Sequence, residues 1–225
     1  QAEDGIRDVE RSRGLGDVYK RQVLRCSSYK SKSLRSSLLI IKEGGNKQVK
    51  QFNCLMDLIE KRRSIRSYKA QEVKEEDLNY ILEAFRKAPS AKNLQPWKLV
   101  VVKDKKKIND LAIACNNQTF LAEAPILIVA CAKEDEAYGV MGGYMNSYPV
   151  DIGIAMEHLI LAATEKGLGT CWIGAFKEKL VKDLLDIPED VRVVTITPLG
   201  YPATEGRIRG RKSLSEIVCY DKYID

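Results

Sequence analysis

Arginines gather at two places in this chain, and the planar guanidinium fork is the side chain best matched to a phosphate or an electron-rich ring carbonyl. Lys61-Arg62-Arg63-Ser64-Ile65-Arg66-Ser67-Tyr68 packs four cations and two serine hydroxyls into one short stretch. Gly206-Arg207-Ile208-Arg209-Gly210-Arg211-Lys212 forms a second cluster far along the chain. The two clusters could converge on one phosphate, although each composition also suits a solvated basic loop. Pro89-Ser90-Ala91-Lys92-Asn93-Leu94-Gln95-Pro96-Trp97 places hydroxyl and amide side chains where a helix ends and a strand begins. Such a loop can hydrogen-bond a planar heterocycle, and the same residues serve ordinary cap and turn chemistry. The glycines of Gly167-Leu168-Gly169-Thr170-Cys171-Trp172-Ile173-Gly174 follow a helix and precede a strand, the reverse of a dinucleotide-binding turn. Gly174 still lets backbone N–H groups approach a ligand closely.

Other chemistries have little to stand on. His158, the single histidine, lies inside an apolar helical pattern with no serine or cysteine at a strained turn, so it reads as a packed or surface residue. No G-x-S-x-G and no Walker A sequence is present. The six cysteines form no C-x-x-C pair, which gives neither a zinc spacing nor a disulfide framework and points to a reduced, cytoplasmic setting.

The elements that must hold these segments alternate. Asp57 to Arg63 reads as a short helix. Glu75 to Ala88 reads as a longer one, with Leu78, Ile81, Leu82 and Phe85 on one apolar face and Pro89 beyond its end. Lys98 to Lys103 and Ile126 to Ala132 are apolar runs of strand length, separated by an amphipathic helix over Lys105 to Cys115. Asp151 to Lys166 is helical and closes at Gly167; its apolar residues fall on several faces, which places it at the centre of the fold or at a subunit contact. Thr170 to Ile173 and Val191 to Thr197 read as strands, and Lys177 to Leu185 as a helix. The order implies an α+β fold, a mixed sheet flanked by helices in a single domain.

The chain has 225 residues, 44% apolar and 30% charged, enough for a buried core. Ile126 to Ala132 and Ile152 to Ala163 are its best apolar stretches, and neither is long enough to span a membrane. The net charge of +6 is uneven: residues 1–55 hold 12 Lys and Arg against 6 Asp and Glu, and the rest carries 25 of each. A neutral body argues against nucleic acid as a partner. Residues 1–55 read as a disordered or non-native leader, too acidic for a transit peptide and too polar for a signal peptide. Ala2 to Gln22 resembles translated sequencing-adapter DNA. Glu43-Gly44-Gly45 is compatible with a ribosome-binding sequence, so a native start is expected at Val49 or at Met56, with the functional domain over 56–225.

Taken together, RRSIRSY (Arg62–Tyr68), PSAKNLQPW (Pro89–Trp97), AEAPILIVACA (Ala122–Ala132), LILAATEKGLGTCWIGAF (Leu159–Phe176) and PLGYPATEGRIRGRKSLSEIV (Pro198–Val218) resemble the nitroreductase family of FMN-dependent oxidoreductases. The resemblance covers residues 57–219. It implies a homodimer with two FMN sites at the subunit interface. Arg62, Arg63, Ser64 and Arg66 would contact the ring edge, ribityl chain and phosphate, and Arg209 and Arg211 the phosphate. Ser90, Ala91 and Asn93 would come from the partner chain, and Ile173 and Gly174 would lie against the isoalloxazine. NADH or NADPH would be the donor in a ping-pong cycle, and the small-molecule acceptor a nitroaromatic, quinone or enone. The flavin carries that chemistry, which accounts for the lack of an obvious catalytic acid or nucleophile. Lys133 to Val150, rich in Met, Tyr and Gly, falls where relatives vary most and is expected to shape the acceptor pocket. The alternatives are a specialised branch of the superfamily, a flavin-consuming oxygenase or a reductive dehalogenase, and a non-catalytic flavin-binding protein.

Overall fold

The structure, a computed structural model, describes residues 38–43, 46–51 and 55–224. The chain divides into two units, residues 1–51 and 52–225. In the first, strands β1 (Leu38–Glu43) and β2 (Asn46–Gln51) pair antiparallel, with Ile40 opposite Val49. The adapter-like stretch and the Ser/Arg/Lys-rich tract ahead of β1 lie outside the described residues, as do Cys26 and Cys54.

The second unit is built around a sheet of four strands in the order β3-β4-β6-β5: β3 (Trp97–Val102), β4 (Ile126–Lys133), β5 (Gly169–Thr170) and β6 (Val191–Gly200). Its helices are α1 (Leu55–Lys61), α2 (Glu75–Arg86), α3 (Lys105–Ala114), α4 (Tyr148–Glu165), α5 (Glu178–Leu185) and α6 (Leu214–Ile217). β4 is a near-continuous apolar run because both of its faces are covered. Leu127, Val129 and Cys131 pack with Ile108 and Leu111 of α3 and Val181 of α5. The alternate residues Ile126, Ile128, Ala130 and Ala132 pack with Leu78, Ile81 and Phe85 of α2 and with Ile152, Met156 and Leu159 of α4. The period of two along β4 thus divides one strand between two half-cores.

The helix boundaries follow local chemistry. Asp104 caps α3 by accepting the Lys107 N–H at 2.8 Å. α4 starts three residues earlier than the sequence suggests, because Pro149 is tolerated in a first helical turn. It ends at Gly167, whose φ of +72° lets Leu168 N–H return to the Ala163 carbonyl at 2.8 Å.

The sheet corrects one expectation. It is not mixed: every ladder among β3 to β6 is antiparallel, and the parallel contribution is one isolated bridge, Ser64 to Thr170. Alternating helices and strands suggest parallel crossovers, but here Val102 at the end of β3 pairs with Leu127 at the start of β4. The intervening α3 carries the chain out, and a 3₁₀ turn at Thr119–Glu123, packed back against α3, returns it to the end of the sheet it left. The strand expected over Thr170 to Ile173 is also broken. Cys171 N–H donates to the Thr197 hydroxyl at 3.2 Å rather than to a ladder carbonyl, and pairing resumes only at the Ile173–Ile196 bridge.

Among the described residues no helix is long and apolar enough to cross a membrane. Cys115, Cys131 and Cys171 are buried free thiols and Cys219 an exposed one.

Candidate functional site

The first basic segment leaves α1 and is laid between two strands. Ile65 N–H donates to the Thr170 carbonyl at 2.8 Å, Lys69 N–H to Tyr201 at 2.9 Å, and Ala203 N–H to Ser67 at 2.9 Å. Buried Ile65 fills the space beside Gly169, where an added Cβ would stand 2.6 Å from its Cγ1. The Tyr68 hydroxyl donates to the Ile65 carbonyl at 2.8 Å, and burial pushes its phenol well above the ordinary range.

The same strapping carries the second cluster alongside the first. A Cβ on Gly206 would lie 2.5 Å from the Arg63 Cβ and 3.1 Å from the Ser64 carbonyl oxygen. Only a glycine permits that approach, and Arg209 and Arg211 continue from it. Cys171 reports the other side of the cluster: burial raises its thiol, against the pull of Arg66, a hydrogen bond with Ser64, and Arg62. Arg62 also acts on Glu157 of α4, whose carboxyl is raised by burial and drawn down by Arg62 and His158.

The guanidinium groups are largely unspent. Arg63 Nη1 donates to the carbonyls of Glu60 and, at 2.8 Å, Arg62; Arg211 Nη1 donates to those of Arg209 and Gly210, both at 3.1 Å. Among the described residues no ion pair engages Arg62, Arg63, Arg66, Arg207, Arg209 or Arg211, whereas the other two described arginines, Arg86 and Arg192, are each paired with a glutamate. Clustered guanidinium groups outside any ion pair suit an anion.

Three residues beyond Thr170, Ile173 is pinned by reciprocal backbone bonds with Ile196 at 2.9 and 3.1 Å, and by the Thr195 hydroxyl donating to its carbonyl at 3.0 Å. Gly174 is exposed, and a Cβ there would meet nothing closer than Trp172 Nε1 at 3.9 Å. A planar ligand can therefore lie against this backbone. Gln118, adjacent to the left-handed pair Asn116 and Asn117, donates its amide to the Ala175 carbonyl at 3.1 Å and to Cys115 at 2.9 Å. It steadies the 173–175 backbone, a role that no pattern in the surrounding sequence announces.

The remaining site residues are elsewhere. The Ser90 hydroxyl accepts the Gln95 N–H at 3.0 Å, and Ala91 N–H donates to Asp151 Oδ1 at 2.9 Å in the first turn of α4. Ser64, by contrast, is bridged to Thr170, past the last turn of α4. The 14 residue steps from Asp151 to Glu165 span roughly 20 Å of helix. One chain therefore brings Arg62, Arg63, Ser64, Arg66, Ile173 and Gly174 to one region, with Arg209 and Arg211 on the exposed segment that continues from Gly206, and holds Ser90, Ala91 and exposed Asn93 at the other end of α4. His158 lies exposed on α4, in keeping with its reading as a packed or surface residue.

The family model described as "Nitroreductase family" matches residues 59–118 and 112–201, which spans both the first cluster and the pinned glycine backbone. The chain belongs to the nitroreductase family. A Thermus thermophilus NADH dehydrogenase is 32% identical over 189 residues, covering 71% of this chain and 92% of the relative. A Bacillus subtilis FMN reductase [NAD(P)H] is 28% identical, covering 72% of each. A nitroreductase family protein of known structure from Clostridium novyi NT superposes with a TM-score of 0.61 at 38% identity, covering 66% of this chain and 84% of that one. Nitroreductase membership fits the geometry, since the matched region holds the backbone contacts that bring Ser64, Thr170 and Ile173 to one edge of the sheet.

Proposed function

We propose that this nitroreductase is an FMN-dependent oxidoreductase that uses NADH or NADPH to reduce an electron-poor acceptor, a nitroaromatic, quinone or enone. The observation that carries the reading is the close packing of Gly206 on Arg63 and Ser64, which joins two arginine-bearing segments whose guanidinium groups form no ion pair among the described residues. Those residues fit FMN: its phosphate dianion matches guanidinium forks, and its flat ring matches the open backbone at Gly174. The similarity to an FMN reductase supports the same cofactor.

Bound FMN supplies two-electron redox chemistry between nicotinamide and acceptor. The chain's own residues bind and orient. Arg66, Arg209 and Arg211 neutralise the phosphate, while Arg62, Arg63 and Ser64 meet the ribityl chain and ring edge, where a guanidinium stabilises negative charge on the ring carbonyls. The backbone at Ile173 and Gly174 lies against the ring and is rigid because Ile196, Thr195 and Gln118 hold it on three sides.

A second copy completes the site. Ser90, Ala91 and Asn93, held away from the cluster within one chain, reach the flavin of the partner in a homodimer. Residues 207–224 support this assembly: all are exposed, and the hydrogen bonds of 211–224 stay within 209–224, although Leu214, Ile217, Tyr220 and Tyr223 are apolar or aromatic. Such an arm needs a covering surface. The free thiols are in keeping with a reducing, cytoplasmic compartment.

The test is the visible spectrum of the purified protein with FMN, followed by anaerobic addition of NADH and then NADPH. Flavin bands that bleach with either nucleotide uphold the reading, and the faster donor gives the preference. Flavin that binds but does not bleach turns the assignment to a flavin-binding protein or a specialised branch. No binding by a folded protein overturns it.

Gly206→Ala is expected to raise the FMN dissociation constant about tenfold, because the added methyl drives the two basic segments apart and loses roughly one charge-assisted contact. A fluorescence-quenching titration reads the change, and unchanged affinity would dissociate the Gly206 packing from cofactor binding.

A further inference from the structure

The buried carboxylate of Asp151 has no part in the function proposed above, yet it is the point where two surface segments meet. Asp151 is 2% exposed and Ser147 is fully buried. One oxygen, Oδ1, accepts the Ala91 N–H at 2.9 Å; the other, Oδ2, accepts the Ser147 hydroxyl at 2.7 Å. The Ser147 hydroxyl oxygen in turn accepts the Tyr138 N–H at 3.1 Å. A second tie runs outside this chain of bonds: the Lys92 ammonium stands over the Tyr138 ring, 4.4 Å from its centre.

Both segments are otherwise expensive to hold. Lys92, Asn93 and Gln95 are all left-handed, with φ of 51°, 57° and 50°. Non-glycine residues keep that conformation only where the surroundings impose it. The loop after β4 is similarly bare: Tyr144 is 84% exposed, and the loop turns on two left-handed glycines, Gly142 and Gly143, between the bridged Met141 and Met145. A buried carboxylate must spend its lone pairs well, and this one spends them on joining the turn to the loop.

We propose that Asp151 is a positioning residue that clamps the Ala91–Asn93 turn to the Tyr138–Ser147 loop, so that the loop forms one wall of the acceptor pocket over the partner subunit's flavin and its order is coupled to the turn that holds that flavin. The inference rests on the assignment of Ser90, Ala91 and Asn93 to the flavin of the other subunit. Acceptor choice then depends on Tyr138, Met141, Tyr144 and Met145, and on how firmly Asp151 and Ser147 hold them.

The test uses the full-length protein and three variants. In Asp151→Ala, hydrogen exchange of the Ala91 amide is expected to accelerate about tenfold in protein without added FMN, the loss of one charge-assisted bond, and that of the Tyr138 amide to accelerate with it because the Ser147 hydroxyl that accepts it loses its anchor. With FMN, its dissociation constant rises about tenfold, and the KM for 2-methyl-1,4-naphthoquinone rises more than kcat falls. Asp151→Asn keeps an acceptor for Ala91 and a polar partner for Ser147, and restores both amides and most of the affinity. Ser147→Ala frees the Tyr138 amide and raises the quinone KM while leaving FMN affinity near that of the parent. Protected amides in Asp151→Ala, FMN affinity unchanged in that variant, or a Tyr138 amide unaffected in Ser147→Ala would each overturn the clamp. If Asp151→Ala does not fold, the Ser147→Ala exchange result decides. If the parent protein binds no FMN, the proposed function fails on its own, and the exchange measurements still decide whether Asp151 joins the two segments.

Discussion

Removing the Arg66 and Arg209 guanidinium groups together is expected to raise the FMN dissociation constant by about two to four orders of magnitude. Each charge-assisted contact is worth about 1.5–3 kcal/mol, so each single change costs roughly ten- to a hundredfold and the pair up to the product. The effect is large because neither arginine is paired with a carboxylate among the described residues, so little of its charge is already spent. Both sit on segments that converge through Gly206, and a shared phosphate makes them coupled. A flavin-quenching titration of both single variants and the double variant measures that coupling, with circular dichroism as the check on folding. Unchanged affinity in both single variants would place the phosphate elsewhere.

If the proposed homodimer holds, truncation before Ser213 is expected to leave a monomer at micromolar concentration and to abolish FMN retention. The cut spares Arg209 and Arg211, so a loss of flavin reports the missing partner chain and not the missing phosphate ligands. Leu214, Ile217, Tyr220 and Tyr223 are 72%, 62%, 75% and 85% exposed within one chain. Burying each such side chain against a second copy contributes about 1.5–3 kcal/mol, so four together contribute about 6–12 kcal/mol, or more than about ten-thousandfold in association. α1 and α4 offer the matching surface, since Leu55, Met56 and Ile59 on one and Val150 and Ile154 on the other are exposed. Light scattering gives the mass directly. A truncated protein that stays dimeric and yellow would show that the arm is not what joins the subunits.

Several elements are legible in the sequence because their signals are short-range. Leu78, Ile81 and Phe85 repeat with the helical period and are all buried on α2. The run from Ile126 reads as a strand buried on both faces, and each of its alternate sets enters a half-core. Gly167 stops α4 where a left-handed residue is needed. Asp151 shows the opposite case. An aspartate near a helix start is common, and nothing in its neighbours reveals that its carboxylate reaches the backbone of Ala91, sixty positions earlier. Gln118 was similarly silent, because its partner Ala175 is distant in sequence.

Periodicity, capping and guanidinium chemistry are properties of neighbouring residues, so they suffice to place most helices and the longer strands and to mark which residue types could bind an anion, while the short strand at Gly169–Thr170 and the start of α4 escape them. Three matters depend on the folded chain. The sheet is antiparallel because the α3 crossover returns to the end it left; the segment that carries the second arginine cluster adjoins the first because Gly206 admits the Arg63 Cβ and the Ser64 carbonyl; and the turn at Ser90 to Asn93 is kept at the far end of α4 from them. Each depends on contacts between residues remote in the chain, whose free energy comes from packing and burial that no local pattern encodes.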